Sequence, residues 1–416
     1  MAHIQLPYGH RTLELELEAD VLDIEAQDAL RKSKLLPLEC LRAALRKPRG
    51  TPPLREIVAS QVSPSIVIVV DDHTRAAPTE LMLAALLEEL GAAALDRITV
   101  LVACGTHQPP SDADLRRILG NYYGLLRVCI HDCDAHNLTP VGITSRGTPV
   151  KLNSVYTNAD IKILTGDITL HYYAGFGGGR KSILPGIAAR ESIQANHALL
   201  VHEQARSANL DGNPVHLDML EAALLAPPDF ILNVIASAPD QIDQACAGSM
   251  ELAFLQGVCS AREFFCRTSD ALFDLLIVSA GGAPKDKNLY QAAKAIENCY
   301  RAVAPGGTLL LLAECPDGIG DALFEQWMDT FPTYATAENA IQTHFVLGGH
   351  KAFYIRKVME MIDLAVVSEL DSGLLDRWHI TGFQSLESAL SRLNKDIGKV
   401  GIVKKGLDTL LAPAPV

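Results

Sequence analysis

No run of apolar residues reaches the roughly eighteen that a membrane-crossing helix needs, although 48% of the 416 residues are hydrophobic. Positive charge is scarce. With 36 Lys and Arg against 49 Asp and Glu, the formal net charge is −13, which repels nucleic acid and anionic membrane over most of the surface. An anionic substrate therefore needs a local pocket of positive charge. The N-terminus carries no signal-peptide pattern, and the nine cysteines, Cys40, Cys104, Cys129, Cys133, Cys246, Cys259, Cys266, Cys299 and Cys315, form no compact framework. That usage predicts reduced thiols in a cytoplasmic protein. The nearest approach to a metal cluster, Cys129-Ile130-His131-Asp132-Cys133 with His136, begins in strand-like alternation, so a structural role is expected for it. Internal repeats and low-complexity tracts are absent, and only the tail 412–416 reads as disordered. A chain this long suggests two or three domains.

What the sequence does contain is a dense glycine loop, His171-Tyr172-Tyr173-Ala174-Gly175-Phe176-Gly177-Gly178-Gly179-Arg180-Lys181-Ser182-Ile183-Leu184-Pro185-Gly186, followed by Asn196-His197. Such glycine density permits backbone angles and close ligand approach that side chains block. Lys181 ends the run beside Arg180, where a neighbouring cation and a dry setting would lower its pKa and free the amine for covalent chemistry. His197 offers an imidazole, the commonest metal ligand. A glycine-rich surface turn with a solvated lysine is the simpler alternative. A phosphate loop fits less well, because Arg180 stands where that motif wants glycine and Pro185-Gly186 interrupts the helix it must open.

Strand-loop-helix units surround this loop. The near-continuous apolar run 65–70 reads as a buried parallel strand, followed by the loop 71–75 and a helix over 79–90. A second unit follows in the strand 98–103, the loop 104–110 and a helix over 112–119, with Ser111 as N-cap. Ligands bind at the carboxyl ends of such strands, which is where Asp72, Arg75 and His107 fall. The alternating residues after the turn Tyr8-Gly9-His10 predict a hairpin over 3–18. Further strands are expected at 159–165, 230–236, 273–279, 308–313 and 363–368. Helices are expected at 38–45, 189–203, 216–225, 250–265, 289–303, 321–331, 350–361 and 385–394. The turn Pro305-Gly306-Gly307 should precede the strand at 308. The fold class is therefore α/β, in two α/β domains with mainly parallel sheets, and the site is expected in the cleft between them.

Several blocks together resemble the nickel-pincer-dependent lactate racemases and their homologues acting on other 2-hydroxy acids. They are Asp71-Asp72-His73-Thr74-Arg75, Gly105-Thr106-His107, the loop 171–186, Asn196-His197, Gly212-Asn213-Pro214, Gly281-Gly282 and Asn288-Leu289-Tyr290-Gln291-Ala292-Ala293-Lys294, in the family's order over roughly residues 70–295. The resemblance implies a cofactor-tethering N-terminal domain over 1–268 and a Rossmann-like C-terminal domain over 269–416, the last residues being able to return to the first domain. It implies an isomerase, a racemase or epimerase inverting C2 of a 2-hydroxy acid by reversible hydride transfer through a 2-keto acid. The acceptor would be the pyridinium-3-thioamide-5-thiocarboxylic acid mononucleotide nickel pincer, supplied by cofactor-biosynthesis proteins and linked to Lys181, with His197 ligating nickel. His107 and His171 would be the alternate acid and base. Asp72, His73, Thr74, Arg75, Gln291 and Lys294 would line the cofactor site, with Arg75 and Lys294 holding the substrate carboxylate.

Such chemistry needs a hydride acceptor that no side chain provides, two bases and a cationic clamp. Gly177 stands where the familiar lactate enzyme has Ser, and Gln108 follows His107 where Arg is frequent, which leaves the hydroxy acid open. Taken singly, His107 or His171 could simply cap a loop, Arg75 could pair with Asp71 or Asp72, and Lys294 could be a solvated helix lysine. A nicotinamide-dependent 2-hydroxy acid dehydrogenase and a non-catalytic carrier of the nickel cofactor remain alternatives. The first lacks the expected G-x-G-x-x-G turn after a strand.

Overall fold

A computed structural model describes residues 2–17, 20–22, 35–75, 77–238, 241–343, 345–346, 348–393 and 398–414. Arg31–Phe264 form one compact unit, and Met1–Leu30 with Phe265–Val416 form the other. Both are α/β with mainly parallel sheets.

In the Arg31–Phe264 unit, six strands lie in the order Gln241–Gly248, Phe230–Ala238, Ile161–Asp167, Ile66–Asp71, Ile98–Ala103 and Arg127–Ile130. Every neighbouring pair is parallel except the first, which is antiparallel. Central position explains the composition of Ile66–Asp71. Ile66, Val67, Ile68, Val69 and Val70 are all fully buried, and each such side chain contributes about 1.5–3 kcal/mol relative to exposure. The helix Thr79–Leu90 covers one face with Met82, Leu83 and Leu86. The helix Asp112–Leu119 starts at Ser111, whose hydroxyl accepts from the Asp114 amide while the Asp114 carboxylate takes the Ser111 amide, a reciprocal cap. Asp71, the loop after Ala103 and Asp167 therefore all emerge at the carboxyl edge of one parallel sheet.

The second unit has six strands in the order Thr381–Phe383, Asp363–Val367, Val303–Leu312, Phe273–Ser279, Val400–Val403 and Asp20–Leu22, all parallel. The expected N-terminal hairpin is present as Ala2–Tyr8 paired with Arg11–Leu17. It belongs with this unit, whereas a sequential division puts it with residues up to 268. The reason is packing: Ile4, Leu6, Tyr8 and Leu15 share a core with Leu275, Ile277, Leu310 and Ile402.

Some details differ from the sequence reading. The Pro305-Gly306-Gly307 stretch lies inside the strand Val303–Leu312, where the pairing with Phe273–Ser279 shifts register. The tail read as disordered from 412 contributes to Leu410–Pro413, paired in parallel with Cys266–Ser269, while 415–416 lie outside the described residues. The strand Gln241–Gly248 and the small antiparallel pair Thr139–Ile143 with Pro149–Leu152 were not expected.

Candidate active site

The loop carrying Lys181 is shaped by its neighbour. Arg180 is completely buried and directs its guanidinium inward, donating from Nη1 to Phe176 O at 2.9 Å and Gly178 O at 3.1 Å, and from Nη2 to Ala174 O at 2.8 Å. Its Nε donates to His216 Nδ1 at 2.9 Å, and its Cζ lies 4.5 Å from the centroid of Phe254. Burial lowers this guanidinium to about 9 and His216 to about 3, so at neutral pH Arg180 is charged and His216 neutral, as the donor-acceptor pair requires. Gly178 and Gly179 have φ of 74° and 54°, angles that side chains rarely adopt. Asn233 closes the loop from the neighbouring strand, accepting from Gly179 N at 3.0 Å and donating to Gly166 O at 3.1 Å.

Arg180 turned inward leaves Lys181 beside the ring of Tyr173. Its Nζ lies 5.9 Å from the Tyr173 centroid. The same ring meets His171 edge-on at 4.5 Å and His197 at 5.0 Å, so Tyr173 gathers the tethering candidate, one acid-base candidate and the metal-ligand candidate. Loss of hydration, then the charges of Arg75 and Arg180, hold the Lys181 amine well below its ordinary value, while Asp71 and Asp167 oppose them. Burial, followed by Lys181, Arg75, His197 and Arg180, likewise keeps His171 well below its usual range. Burial thus favours the uncharged form of both groups.

His107 stands on the loop after Ile98–Ala103. Its Nδ1 meets Asp72 Oδ2 at 2.6 Å. Asp72 is held in turn by Thr74, whose amide and hydroxyl donate to Oδ1 at 3.0 and 2.6 Å. Burial would raise the Asp72 carboxyl, but the bonds from His107 and Thr74 outweigh it and its pKa falls. This loop is tied directly to the lysine loop: Gly105 N donates to Gly186 O at 2.9 Å, and Gly186 N donates to Lys181 O at 3.1 Å. The Arg75 amide donates to Asp72 O at 3.2 Å, fixing the turn. His73 contributes its carbonyl to Arg117, and among the described residues its buried Nδ1 has no hydrogen-bond partner.

Hydrogen bonds also fix three imidazole tautomers. Asn196 spends its amide hydrogens on Val215 O and Asp218, so its Oδ1 accepts from His197 Nδ1 at 3.1 Å, which leaves the His197 lone pair on Nε2. His171 Nδ1 accepts from Ala174 N at 3.3 Å, so its proton sits on Nε2. Asp72 puts the His107 proton on Nδ1 and the lone pair on Nε2.

Gln291 and Lys294 belong to the other unit, on the helix Leu289–Cys299, where Lys294 Nζ donates to Gln291 Oε1 at 2.7 Å. Sequence reasoning missed Asp167, Tyr173 as the shared ring, and the loop-forming role of Arg180. Asp167 could have been found by the strand-end rule that singled out Asp72. In the Cys129–His136 stretch His131 is buried, with Nε2 at 3.0 Å from Ala188 O and Nδ1 at 3.2 Å from Asn153 Nδ2, while ligand atoms of Asp132, Cys133 and Asp134 lie within 4.8 Å of one another. Nearby Asp134 is paired with Arg190 through two contacts of 2.7 Å.

Lys181, His107 and His171 near the carboxyl edge of a parallel sheet, with His197 on the helix Arg190–Ala198, define an α/β enzyme. Residues 8–208 match the lactate racemase N-terminal domain and residues 268–409 the lactate racemase C-terminal domain. The lactate racemase of Lactiplantibacillus plantarum is 30% identical, with 99% of this chain and 100% of that protein covered. The lactate racemase of Thermoanaerobacterium thermosaccharolyticum is 32% identical over 79% of this chain and 78% of its own length. The structure of a lactate racemase apoprotein from the latter organism matches with a TM-score of 0.87 at 28% identity, covering 99% of this chain and all of that one. The chain belongs to the lactate racemase family and is an isomerase of the racemase kind. No helix among its described residues is long and apolar enough to cross a membrane.

Proposed function

We propose that this protein interconverts the enantiomers of lactate or a similarly small 2-hydroxy acid, with a nickel pincer nucleotide joined to Lys181 and its nickel held by His197. One observation carries the reading: Lys181, His171 and His197 surround the single ring of Tyr173, at 5.9, 4.5 and 5.0 Å. The residues suit such a group. An amine whose uncharged form is favoured suits the nucleophile that a covalent link needs, and the His197 Nε2 lone pair suits nickel. When bound, the group supplies the hydride acceptor that no side chain offers.

The protein's own residues do the rest. Arg75 holds the substrate carboxylate through its forked donors; Lys294 and Gln291 are assigned to substrate and cofactor binding on the family resemblance. His107 offers a lone pair at Nε2 and takes the hydroxyl proton, while His171 carries a proton at Nε2 and gives one back to the carbonyl oxygen. The two imidazoles thus begin in complementary states, and their exchange of roles serves the two enantiomers.

To test this, the protein is produced together with the cofactor-making proteins, and intact mass, metal content and optical rotation of chiral 2-hydroxy acids are measured. We expect an adduct that maps to Lys181, nickel that is lost in His197→Ala, and racemisation that is abolished in His107→Ala and His171→Ala with the adduct retained. An unmodified Lys181 defeats the tether. Nickel and adduct with no change in rotation on any hydroxy acid would indicate a carrier.

A further inference from the structure

We propose that Asp218 is a positioning residue that acts through Asn196 on His197, the anionic end of a relay that makes this imidazole a stronger metal ligand. The role rests on the reading above that His197 holds nickel. Asp218 is fully buried on the helix Pro214–Leu225, yet among the described residues no Lys, Arg or His pairs with it. Three neutral groups hold it instead. Thr144 donates its hydroxyl to Oδ1 at 2.5 Å, and Oδ2 accepts from the Thr148 hydroxyl at 2.9 Å and from Asn196 Nδ2 at 2.8 Å. All three face it as donors, the pattern that an ionised carboxylate selects. Burying a carboxylate without a counter-ion is costly, so its position needs an explanation.

The bond to Asn196 leads to the site. Asn196 is fully buried as well. Its second amide hydrogen goes to Val215 O at 3.2 Å, and its Oδ1 accepts from His197 Nδ1 at 3.1 Å. The amide thus meets the carboxylate at its nitrogen and the imidazole at its oxygen. Polarised by Asp218, a more negative Oδ1 draws on the His197 Nδ1 proton and enriches the lone pair at Nε2. Metal-ligating imidazoles commonly donate to a carboxylate directly; here one amide stands between the two. The neighbouring elements keep the three groups in line. Thr144 and Thr148 flank the turn between Thr139–Ile143 and Pro149–Leu152, where Thr144 N donates to Thr148 O at 3.0 Å and Thr148 N to Thr144 Oγ1 at 3.1 Å. Ser145 pins this hairpin to the helix of Asp218, its amide and hydroxyl both donating to Glu221 at 2.6 Å. Ser192 pins it to the helix of His197, its hydroxyl donating to Pro149 O at 2.5 Å.

Asp218→Asn isolates the charge. It can turn its oxygen to Thr148 and Asn196 and its NH2 to Thr144, so every bond survives. In cofactor-free, full-length protein isotopically labelled at the histidine nitrogens, long-range proton–nitrogen correlation shows which ring nitrogen is protonated, the His197 signals being those lost in His197→Gln. In wild type the proton should sit on Nδ1, and in Asp218→Asn it should move upfield as its bond to Asn196 weakens. A proton on Nε2, or one that does not move, overturns the relay. In protein loaded by the cofactor-making proteins, loss of nickel to excess EDTA is followed by metal analysis. Nickel should leave Asp218→Asn about 10-fold faster than wild type. An equal rate means that Asp218 merely pins the hairpin, and it overturns the relay. If Asp218→Asn does not fold, Thr148→Val replaces it. Withdrawing a competing donor from Oδ2 leaves more of the charge to Asn196, so nickel should leave more slowly than from wild type, and a rate equal or faster overturns the relay. Each of these failures leaves the nickel assignment standing, whereas nickel retained by His197→Ala defeats that assignment and the relay together.

Discussion

At the scale of single residues, the protonation of the site is written in hydrogen bonds rather than in residue types. Asp72 shows how. Thr74 spends two donors on Asp72 Oδ1, so only Oδ2 is left for His107 Nδ1. In Asp72→Asn the two Thr74 donors would keep the amide oxygen on their side and turn the NH2 toward His107. The imidazole would then have to accept at Nδ1 and carry its proton on Nε2, the wrong state for a base. We expect kcat for racemisation to fall about 10²- to 10⁴-fold with little change in KM, measured as initial rates of optical rotation from each enantiomer. A larger loss in Asp72→Asn than in Asp72→Ala would support the tautomer argument, and near-normal activity in Asp72→Asn would refute it. His107, Lys181 and His197 were legible in the sequence because each belongs to a block with its own spacing. The meeting of Thr144, Thr148 and Asn196 on Asp218 was not legible, since it joins three separate segments through side chains that no spacing relates.

At the scale of elements, the glycine loop is held by a cation that faces inward. Without Arg180, the carbonyls of Ala174, Phe176 and Gly178 lose their buried donor, and unsatisfied buried acceptors cost about 1–3 kcal/mol each. Arg180→Ala should therefore lower the unfolding free energy by about 3 kcal/mol or more, read from urea midpoints. Its partner adds a pH dependence. His216 titrates at about 3 in the folded protein against an ordinary 6.5, so between those values the unfolded chain binds a proton that the folded one refuses. Stability conferred by the Arg180–His216 contact is complete above about 6.5 and drains away as pH falls toward 3. His216→Gln should flatten that slope in midpoints measured across the same range. Elements themselves were legible where their pattern was strong: Ile66–Asp71 is an apolar run, and the helix Thr79–Leu90 was bounded correctly. Gln241–Gly248 escaped because QIDQACAG has few of the branched and aromatic residues that mark strands. Val303–Leu312 was cut short because Pro305-Gly306-Gly307 reads as a turn, yet a strand can absorb it through a register shift.

At the scale of the molecule, chain order and packing diverge. The hairpin Ala2–Tyr8 with Arg11–Leu17 completes the core of the C-terminal unit, more than 250 residues away in sequence from Leu275 and Ile277. Polar bonds repeat the connection. Gly9 N donates to Asp286 Oδ2 at 2.7 Å, Ala283 N donates to Gly9 O at 2.8 Å, and the Ser279 hydroxyl donates to Pro7 O. The short strand Asp20–Leu22 then joins Val400–Val403 at the sheet edge. Alternation predicts that a hairpin forms but carries no information about which sheet it will meet, so this pairing could not be read from the sequence. It has a measurable consequence. Leu6 is fully buried among residues of the Phe265–Val416 stretch, and Leu→Ala at such a position costs about 2–5 kcal/mol. In full-length Leu6→Ala, hydrogen exchange should speed up in Phe273–Ser279 and Val400–Val403, whereas Ile66–Asp71 and Ile161–Asp167 keep their protection. Uniform loss of protection across both sheets would mean that the two units unfold as one. Loss confined to Ile66–Asp71 and Ile161–Asp167 would place the hairpin's stabilising contacts with the wrong core.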